Sequence, residues 1–445
     1  MVGGLACSST DGPGGGGTSG SSGVTAGASS SGGNASVAGS TSAGTSGGPT
    51  SSAGASSGGV GNAGASSGGS NAVGGNAGVG GGSAGSGGNT NPAGGTAGGN
   101  SDPVNAATLV KAMGFGTNIG NTLENTVTWE TGWGQPLITQ AYINGIASRG
   151  IKTVRVPVAW NTYAVNGVIE PAKMDRVKQV VSWITGAGMY AIVNIHWDGG
   201  WINNEEGKEG GPAFTLTDEI KTKFVNYWKQ IATAFSGVDH RLILEGMNEE
   251  GSWVTDGDRY GKNTDIPAIN TMNQLFVTTA RAQGGFNATR ALLIAGHTTD
   301  LERTCVPAFT VPTDPAGAGK LLLSIHYYTP WTFTIKDKNE TVDSQPVATT
   351  WGTAAETKQL EDLFTRLGTC SSDKKIPIVL GEFAVSVGTA PYVRETASRI
   401  AWMTAVVKAS KARNIVPVLW DTGSEISRVD GAFSSAFQQA FDSFK

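Results

Sequence analysis

Two stretches decide the fold: Met189-Tyr-Ala-Ile-Val-Asn-Ile-His196 and Ile376-Pro-Ile-Val-Leu-Gly-Glu382. Each is apolar at successive positions and turns polar only at its end. A strand with one wet face would alternate, whereas an unbroken apolar run suits a parallel sheet covered by helices. Six more such runs are Met113–Asn118, Lys152–Val158, Leu242–Glu249, Ala291–Gly296, Leu321–Tyr328 and Ile415–Trp420. Between them lie stretches of helical period. Ala172–Thr185 carries Met174, Val177, Val180, Val181 and Ile184 on one stripe, and Thr217–Phe235 opens on Thr217-Asp-Glu219, a cap followed by an acidic first turn. Ile266–Gly284 and Tyr392–Ala412 are similarly periodic, and Leu301–Phe309 is read as a helix. Eight strand–helix units predict an α/β fold of the closed (β/α)8 type. A doubly wound open sheet is the competing arrangement. It would carry a GxGxxG after a strand, and no such motif follows one here.

The residues before this block have a different character. Residues 1–100 hold 36 of the 67 glycines, one charged residue (Asp11) and no aromatic. Residues 8–100 are mainly Gly, Ser, Ala, Thr and Asn without a three-residue period. That excludes collagen and predicts a disordered linker with too little apolar area to offset ordering. The catalytic or binding block is therefore 101–445. Leu5-Ala6-Cys7 followed by Ser8-Ser9 matches the end of a bacterial lipoprotein signal, so residues 1–7 are read as a signal remnant with a lipid anchor at Cys7. A chance Ala-Cys is the alternative. The implied location is secreted or tethered at the outer surface. A net charge of −4 argues against nucleic acid as partner, and no apolar run is long enough for a transmembrane helix. Cys305 and Cys370 fit one disulfide or two free thiols equally well.

The strand ends carry the chemistry. Arg155 lies in the second run. Asn194 and His196 end the third, followed by Trp197 and Asp198. Asn248, Glu249 and Glu250 end the fourth, and His297 follows the fifth. His326, Tyr327 and Tyr328 end the sixth, with Trp331 beyond, Glu382 ends the seventh, and Trp420 and Asp421 the eighth. In a parallel barrel these ends converge on one mouth. Glu249 and Glu382 lie on opposite strands, and two carboxylates flanking one bond are what glycoside hydrolysis requires. The competing reading is a pair of structural glutamates in ion pairs, with Arg155 as partner. Trp129, Trp133, Trp197, Trp201, Trp253, Trp331, Trp351 and Trp420 fall at strand ends or in loops, where flat indoles match pyranose faces. Together they imply an open cleft. His196, His297 and His326 raise the question of a metal, but the first run lacks the His-x-His of metal-dependent barrels, so no metal or other cofactor is expected.

Gly116-Thr-Asn-Ile-Gly-Asn-Thr-Leu-Glu124, Val154-Arg-Val-Pro157, Asn194-Ile-His196, Asn248-Glu249, His326-Tyr-Tyr328, Gly381-Glu-Phe383 and Leu419-Trp420 occur in that order. Together they resemble glycoside hydrolase family 5, in its bacterial endoglucanase and xyloglucanase branch. The resemblance implies a retaining (β/α)8 hydrolase with Glu249 as acid/base and Glu382 as nucleophile. It implies substrate contacts at Asn121, Arg155, His196, Asn248, His326, Tyr328, Trp331 and Trp420, with Asn248 reading the sugar 2-hydroxyl. Three positions depart from the usual pattern: Glu250 replaces a proline, Trp197 replaces the second of two histidines, and Thr117 stands where tryptophan is common.

The expected function is therefore a monomeric endo-β-1,4-glucanase acting on plant cell-wall type polysaccharide, with its two carboxyls roughly 5–5.5 Å apart. Xyloglucanase, xylanase or mannanase activity is the alternative within the class. Outside it stand a non-catalytic carbohydrate-binding barrel and a purely structural surface protein.

Overall fold

A computed structural model describes residues 105–202, 215–251, 265–338 and 345–445. The expected signal remnant and linker, and Trp253, lie outside the described residues.

Asn105 caps the first helix, α1 (Ala106–Met113), by accepting from the N–H groups of Ala107 and Thr108. There follow β1 (Gly116–Asn118), α2 (Gln140–Ser148), β2 (Thr153–Val156), the hairpin strands β3 (Ala164–Val165) and β4 (Val168–Ile169), α3 (Pro171–Gly186) and β5 (Tyr190–Asn194). The middle of the chain forms α4 (Asp218–Ala234), β6 (Leu242–Glu245), α5 (Ile266–Ala282), β7 (Leu292–Ala295), α6 (Leu301–Thr304), β8 (Leu321–Tyr327) and α7 (Trp331–Thr334). The last part forms α8 (Ala354–Lys374), β9 (Ile378–Phe383), α9 (Thr396–Ala412), β10 (Val416–Leu419) and α10 (Ser435–Asp442). Eight strands close into a barrel in the order β1-β10-β9-β8-β7-β6-β5-β2, each pair parallel.

The apolar runs are explained by two cores. On β6, Leu242 and Leu244 pack outward beneath the helices, while Ile243 joins the inner core. That inner core contains Ile192, Leu293, Leu322, Val379 and Val418, together with Ala106, Leu109, Val110 and Met113 of α1. Helix α1 thus packs its apolar face onto the barrel interior.

Several boundaries differ from expectation. Met113 ends a helix and does not start a strand, because Gly114 breaks the chain at φ 54° before β1 begins at Gly116. The fourth barrel strand stops at Glu245, so Glu249 sits on the loop beyond it. Leu301–Phe309 forms only the single turn α6. Helix α8 has a full capping box, with Thr353 and Glu356 bonding each other's backbone N–H groups. Cys305 and Cys370 form a disulfide, tying the end of α6 to α8.

Candidate active site

The polar mouth is organised around Arg155 on β2. Its side chain is fully buried, and every donating edge is used. Nε donates to Glu245 Oε2 at 2.6 Å, and one terminal nitrogen donates to Asn118 Oδ1 at 3.0 Å and to Glu382 Oε1 at 2.8 Å. The other terminal nitrogen donates to Asn248 Oδ1 at 2.8 Å. A guanidinium can only donate, so the amide oxygen of Asn248 must face it and the NH₂ group is turned away. Burial alone would make Arg155 shed its proton more readily, but Glu245 and Glu382 more than offset that and hold it charged.

Glu382 is held at both oxygens. Oε1 accepts from Arg155, and Oε2 accepts from the Tyr328 hydroxyl at 2.9 Å. Its direction depends on Gly381 and on the β8–β9 pairing. The register shifts between Ile325 and His326, which sets His326 opposite Glu382. A Cβ at Gly381 would lie 2.9 Å from Ser324 Oγ and 3.1 Å from His326 Nε2, so a side chain there would press on the site.

Glu249 has one described partner, His326 Nδ1, at 2.7 Å. Oxygens of Glu249 and Glu382 and Nδ1 of His326 all lie within 4.8 Å of one another. That separation falls on the retaining side of the two glycosidase geometries, about 5–5.5 Å against 6.5–9.5 Å. Three such groups can also hold a cation. Here one oxygen of Glu382 already faces a guanidinium and the other a phenol, so a cation would have to share that carboxylate with Arg155.

The electrostatics separate the two carboxyls. Burial, then the charge on Glu382, raises Glu249 well above the ordinary carboxylate range. Burial also raises Glu382, but Arg155 and the Tyr328 hydroxyl pull against it. Both nearby histidines are driven well below the usual value, by burial and then by Arg155, so both are neutral. Burial pushes Glu250 up to about 8. At neutral pH the extra carboxyl beside Glu249 is therefore mostly uncharged, which limits the disturbance its sequence position suggests.

The structure gathers Arg155, Asn248, Glu249, His326, Tyr328 and Glu382 into one cluster. His196 stacks on Trp420, with ring centroids 5.5 Å apart and planes 7° apart, and its Nδ1 lies 3.4 Å from Asn194 Nδ2. Asn121 sits at φ 59° after β1, its backbone N–H bonded to the buried carboxyl of Glu124, which is pushed up to about 7 by burial. Trp331 is half-buried, with the Lys336 ammonium over its ring at 5.0 Å.

Other strand-end residues have structural roles. Asp198 is fully buried and accepts from the N–H groups of Trp160, Asn161 and Thr162 and from the Trp201 indole, so it shapes a loop. His297 is buried near Asp265, 3.4 Å away. Tyr327 points outward and stacks on Trp402. Asp421 accepts from the backbone of Glu425 and Ile426. Trp129 and Trp351 are only 8% exposed, and Trp129 packs edge-on against Tyr163 beneath Lys173. The reading of both as loop platforms is corrected: they are core. Trp133 and Trp197 are the open ones, 49% and 39% exposed. Glu245, Asn118 and Ser324 were not singled out as site residues. Their one signal is a polar side chain in or at the end of a barrel strand.

Residues 110–425 match the Cellulase family, glycosyl hydrolase family 5. The chain belongs to that family. Endoglucanase A of Paenibacillus barcinonensis is 33% identical over 350 residues, covering 72% of this chain and 82% of that protein. A xyloglucan-specific endo-β-1,4-glucanase of Bacteroides ovatus is 32% identical, over 70% of this chain and 64% of its own length. Among solved structures, a family 5 broad-specificity endoglucanase from an uncultured bovine rumen ciliate is 33% identical with a TM-score of 0.65, covering 77% of this chain and 97% of that one. A Bacteroides ovatus family 5 xyloglucanase in complex with a XXXG heptasaccharide gives 0.64 at 27% identity, over 77% and 76% of the two chains. Family 5 membership joins the seven sequence motifs and the paired carboxyls in one description. Among the described residues, no helix is long and apolar enough to cross a membrane.

Proposed function

We propose that this family 5 chain is a retaining endo-β-1,4-glucanase in which Glu382 is the nucleophile and Glu249 the acid/base. The observation that carries this reading is the unequal setting of two carboxyls within 4.8 Å: Glu382 faces a permanent cation, and Glu249 faces a neutral imidazole. The group next to the cation is the one kept ready to attack, and the group raised by burial holds a proton to give away.

In the first step an oxygen of Glu382 attacks the anomeric carbon. The bond to the leaving oxygen breaks, and that oxygen takes the proton of Glu249. In the second step Glu249, now ionised, takes a proton from water as the water oxygen attacks the anomeric carbon, and Glu382 leaves as carboxylate. Tyr328 and Arg155 keep their bonds to Glu382, and the Asn248 NH₂ group, turned away from Arg155, is placed to meet a sugar hydroxyl. Neutral His326 holds an oxygen of Glu249 at 2.7 Å from its Nδ1. The stacked His196 and Trp420 pair offers a flat face beside the cluster, and Asn121 and Trp331 extend the contact surface.

The substrate reading is plant cell-wall type β-1,4-glucan. The exposed indoles of Trp133 and Trp197 support an open cleft that admits a chain along its length. An open cleft would also admit xyloglucan side chains, and the Bacteroides ovatus relatives favour that second substrate. The enzyme is read as a monomer. Residues 8–100 are read as a linker, with Cys7 as a lipid anchor placing the 101–445 domain at the outer surface. The Leu5-Ala6-Cys7 sequence and the glycine-rich composition support that arrangement.

Reducing-end and viscosity measurements on carboxymethylcellulose, mixed-linkage β-glucan, xyloglucan and mannan test the activity. Internal cleavage gives a rapid viscosity fall on the first three. Monosaccharide release without viscosity loss, or a preference for mannan, would overturn the cleft reading.

A further inference from the structure

Glu245 is the last residue of β6 and faces the barrel interior, fully buried one layer above Ile243. Its two oxygens are both engaged: Oε2 by Arg155 Nε at 2.6 Å and Oε1 by the Ser324 hydroxyl at 2.7 Å. Arg155 therefore stands between two carboxylates, Glu245 on one edge and Glu382 on another, and neither pair is open to solvent. A buried ion pair of this kind need add little to stability, because desolvation consumes most of the attraction. It can still control how one charge is divided between two acceptors.

We propose that Glu245 is a positioning residue for the glycosylation step, fixing the guanidinium edge that meets Glu382 and drawing off part of its charge so that Glu382 stays basic enough to attack. This rests on Glu382 being the nucleophile. The geometric part follows from the bonding. With Nε tied to β6, the two terminal nitrogens are left to face Asn118, Glu382 and Asn248, three groups from three different strand ends. The electrostatic part follows from sign. A carboxylate facing a full unshared positive charge gives up its proton more readily and becomes a weaker nucleophile. A second carboxylate on the same cation opposes this, and Glu245 acts in that direction on Glu382.

The charged and titratable groups around Glu382 come from every neighbouring element. They are Arg155 on β2, Glu245 and Glu249 on and after β6, His326 on β8 with Nδ1 at 3.7 Å, and Tyr328 just beyond it. His326 is neutral and Tyr328 keeps its proton, because burial drives the first well down and the second well up. Because Glu249 is protonated in the step concerned, the remaining charges that count are Arg155 and Glu245, which are ion-paired to each other.

The test measures kcat/KM against pH on an aryl β-cellobioside whose leaving group needs no protonation, so the acid limb reads the ionisation of Glu382. In Glu245→Gln the amide can still accept from Arg155, but the charge is gone. The acid limb should move down by about one pH unit and the plateau should fall. Glu245→Asp keeps the charge and shortens the reach, so its limb should stay near that of the wild type while its plateau falls. A Glu245→Gln limb that stays in place, or a Glu245→Asp limb that shifts as far as the Gln one, overturns the proposal. If Glu245→Gln does not fold, the Asp variant decides: a shifted limb or an unchanged plateau is a negative result. Labelling the wild-type enzyme with a 2-deoxy-2-fluoro cellobioside separates the two levels. Label on Glu382 with an unmoved limb sinks only the role of Glu245. Label elsewhere sinks the nucleophile assignment itself.

Discussion

The floor and the mouth of the barrel are built from the same strands, yet they are held in opposite ways. On β6, Ile243 faces the floor and Glu245 the mouth, two residues apart and both fully buried. Ile243 meets Leu293, Leu322 and the α1 side chains, contacts that stabilise simply by leaving water. Glu245 meets Arg155 and Ser324, contacts that mostly repair the cost of burying charge. The floor carries stability and the mouth carries reactivity, so substitutions in the two layers should separate those properties.

The largest effect should come from Glu382→Gln. Turnover of β-glucan should fall to background while the melting temperature holds or rises, because a buried, raised carboxyl is replaced by a neutral amide. Reducing-end assay and calorimetry on the same sample check both halves. Glu249→Gln should cost about 10²–10⁴-fold on glucan and much less on an aryl glycoside with a good leaving group. An equal loss on both substrates would mean that Glu249 is not the acid. In the floor, Leu293→Ala should cost about 2–5 kcal/mol of stability, read by denaturant unfolding, with turnover of the folded enzyme retained. A collapse of activity in the folded Leu293→Ala enzyme would show that the layers are not separable.

A smaller effect concerns pH. Glu250 binds its proton up to about 8 in the folded state, against an ordinary value of 4.5. The folded protein therefore holds more protons than the unfolded chain between those values, and stability falls as pH rises through that window. Glu250→Gln removes the term, so its melting temperature should gain on the wild type from pH 5 to 8 and level off above. The smallest effect is expected from removing residues 1–100: activity on soluble glucan should be unchanged, and loss of activity with folding intact would contradict the linker reading.

The existence of the eight strands, and the meeting of Glu249 with Glu382 at their mouth, are legible in sequence because both rest on local pattern. An apolar run marks a strand buried on both faces, and its polar end marks the mouth. The ends of the runs were not legible. Gly246-Met247 continue the apolar look of β6, but the ladder has already stopped at Glu245. Met113 looked like the start of a strand because helix α1 also shows an apolar face to the barrel. Glu245 does not stand out in sequence, because Asn248 and Glu249 lie three and four residues on and carry the more familiar chemistry. Trp129 and Trp133 read alike in sequence, and only packing buries one and exposes the other. The cysteine pair was undecidable, since 65 residues separate Cys305 from Cys370 and only the fold joins them.

Azide rescue tests the central assignment most directly, because the stereochemistry of the product names the residue removed. In Glu382→Gly, azide entering the vacated nucleophile site attacks the anomeric carbon of an activated β-cellobioside in a single displacement and gives the α-glycosyl azide. In Glu249→Ala, the glycosyl-enzyme still forms on Glu382, and azide attacking it from the other face gives the β-glycosyl azide. Nuclear magnetic resonance of the two products should show α from the first variant and β from the second. The reverse pairing, or the same anomer from both, would contradict a retaining site with Glu382 as nucleophile and Glu249 as acid/base.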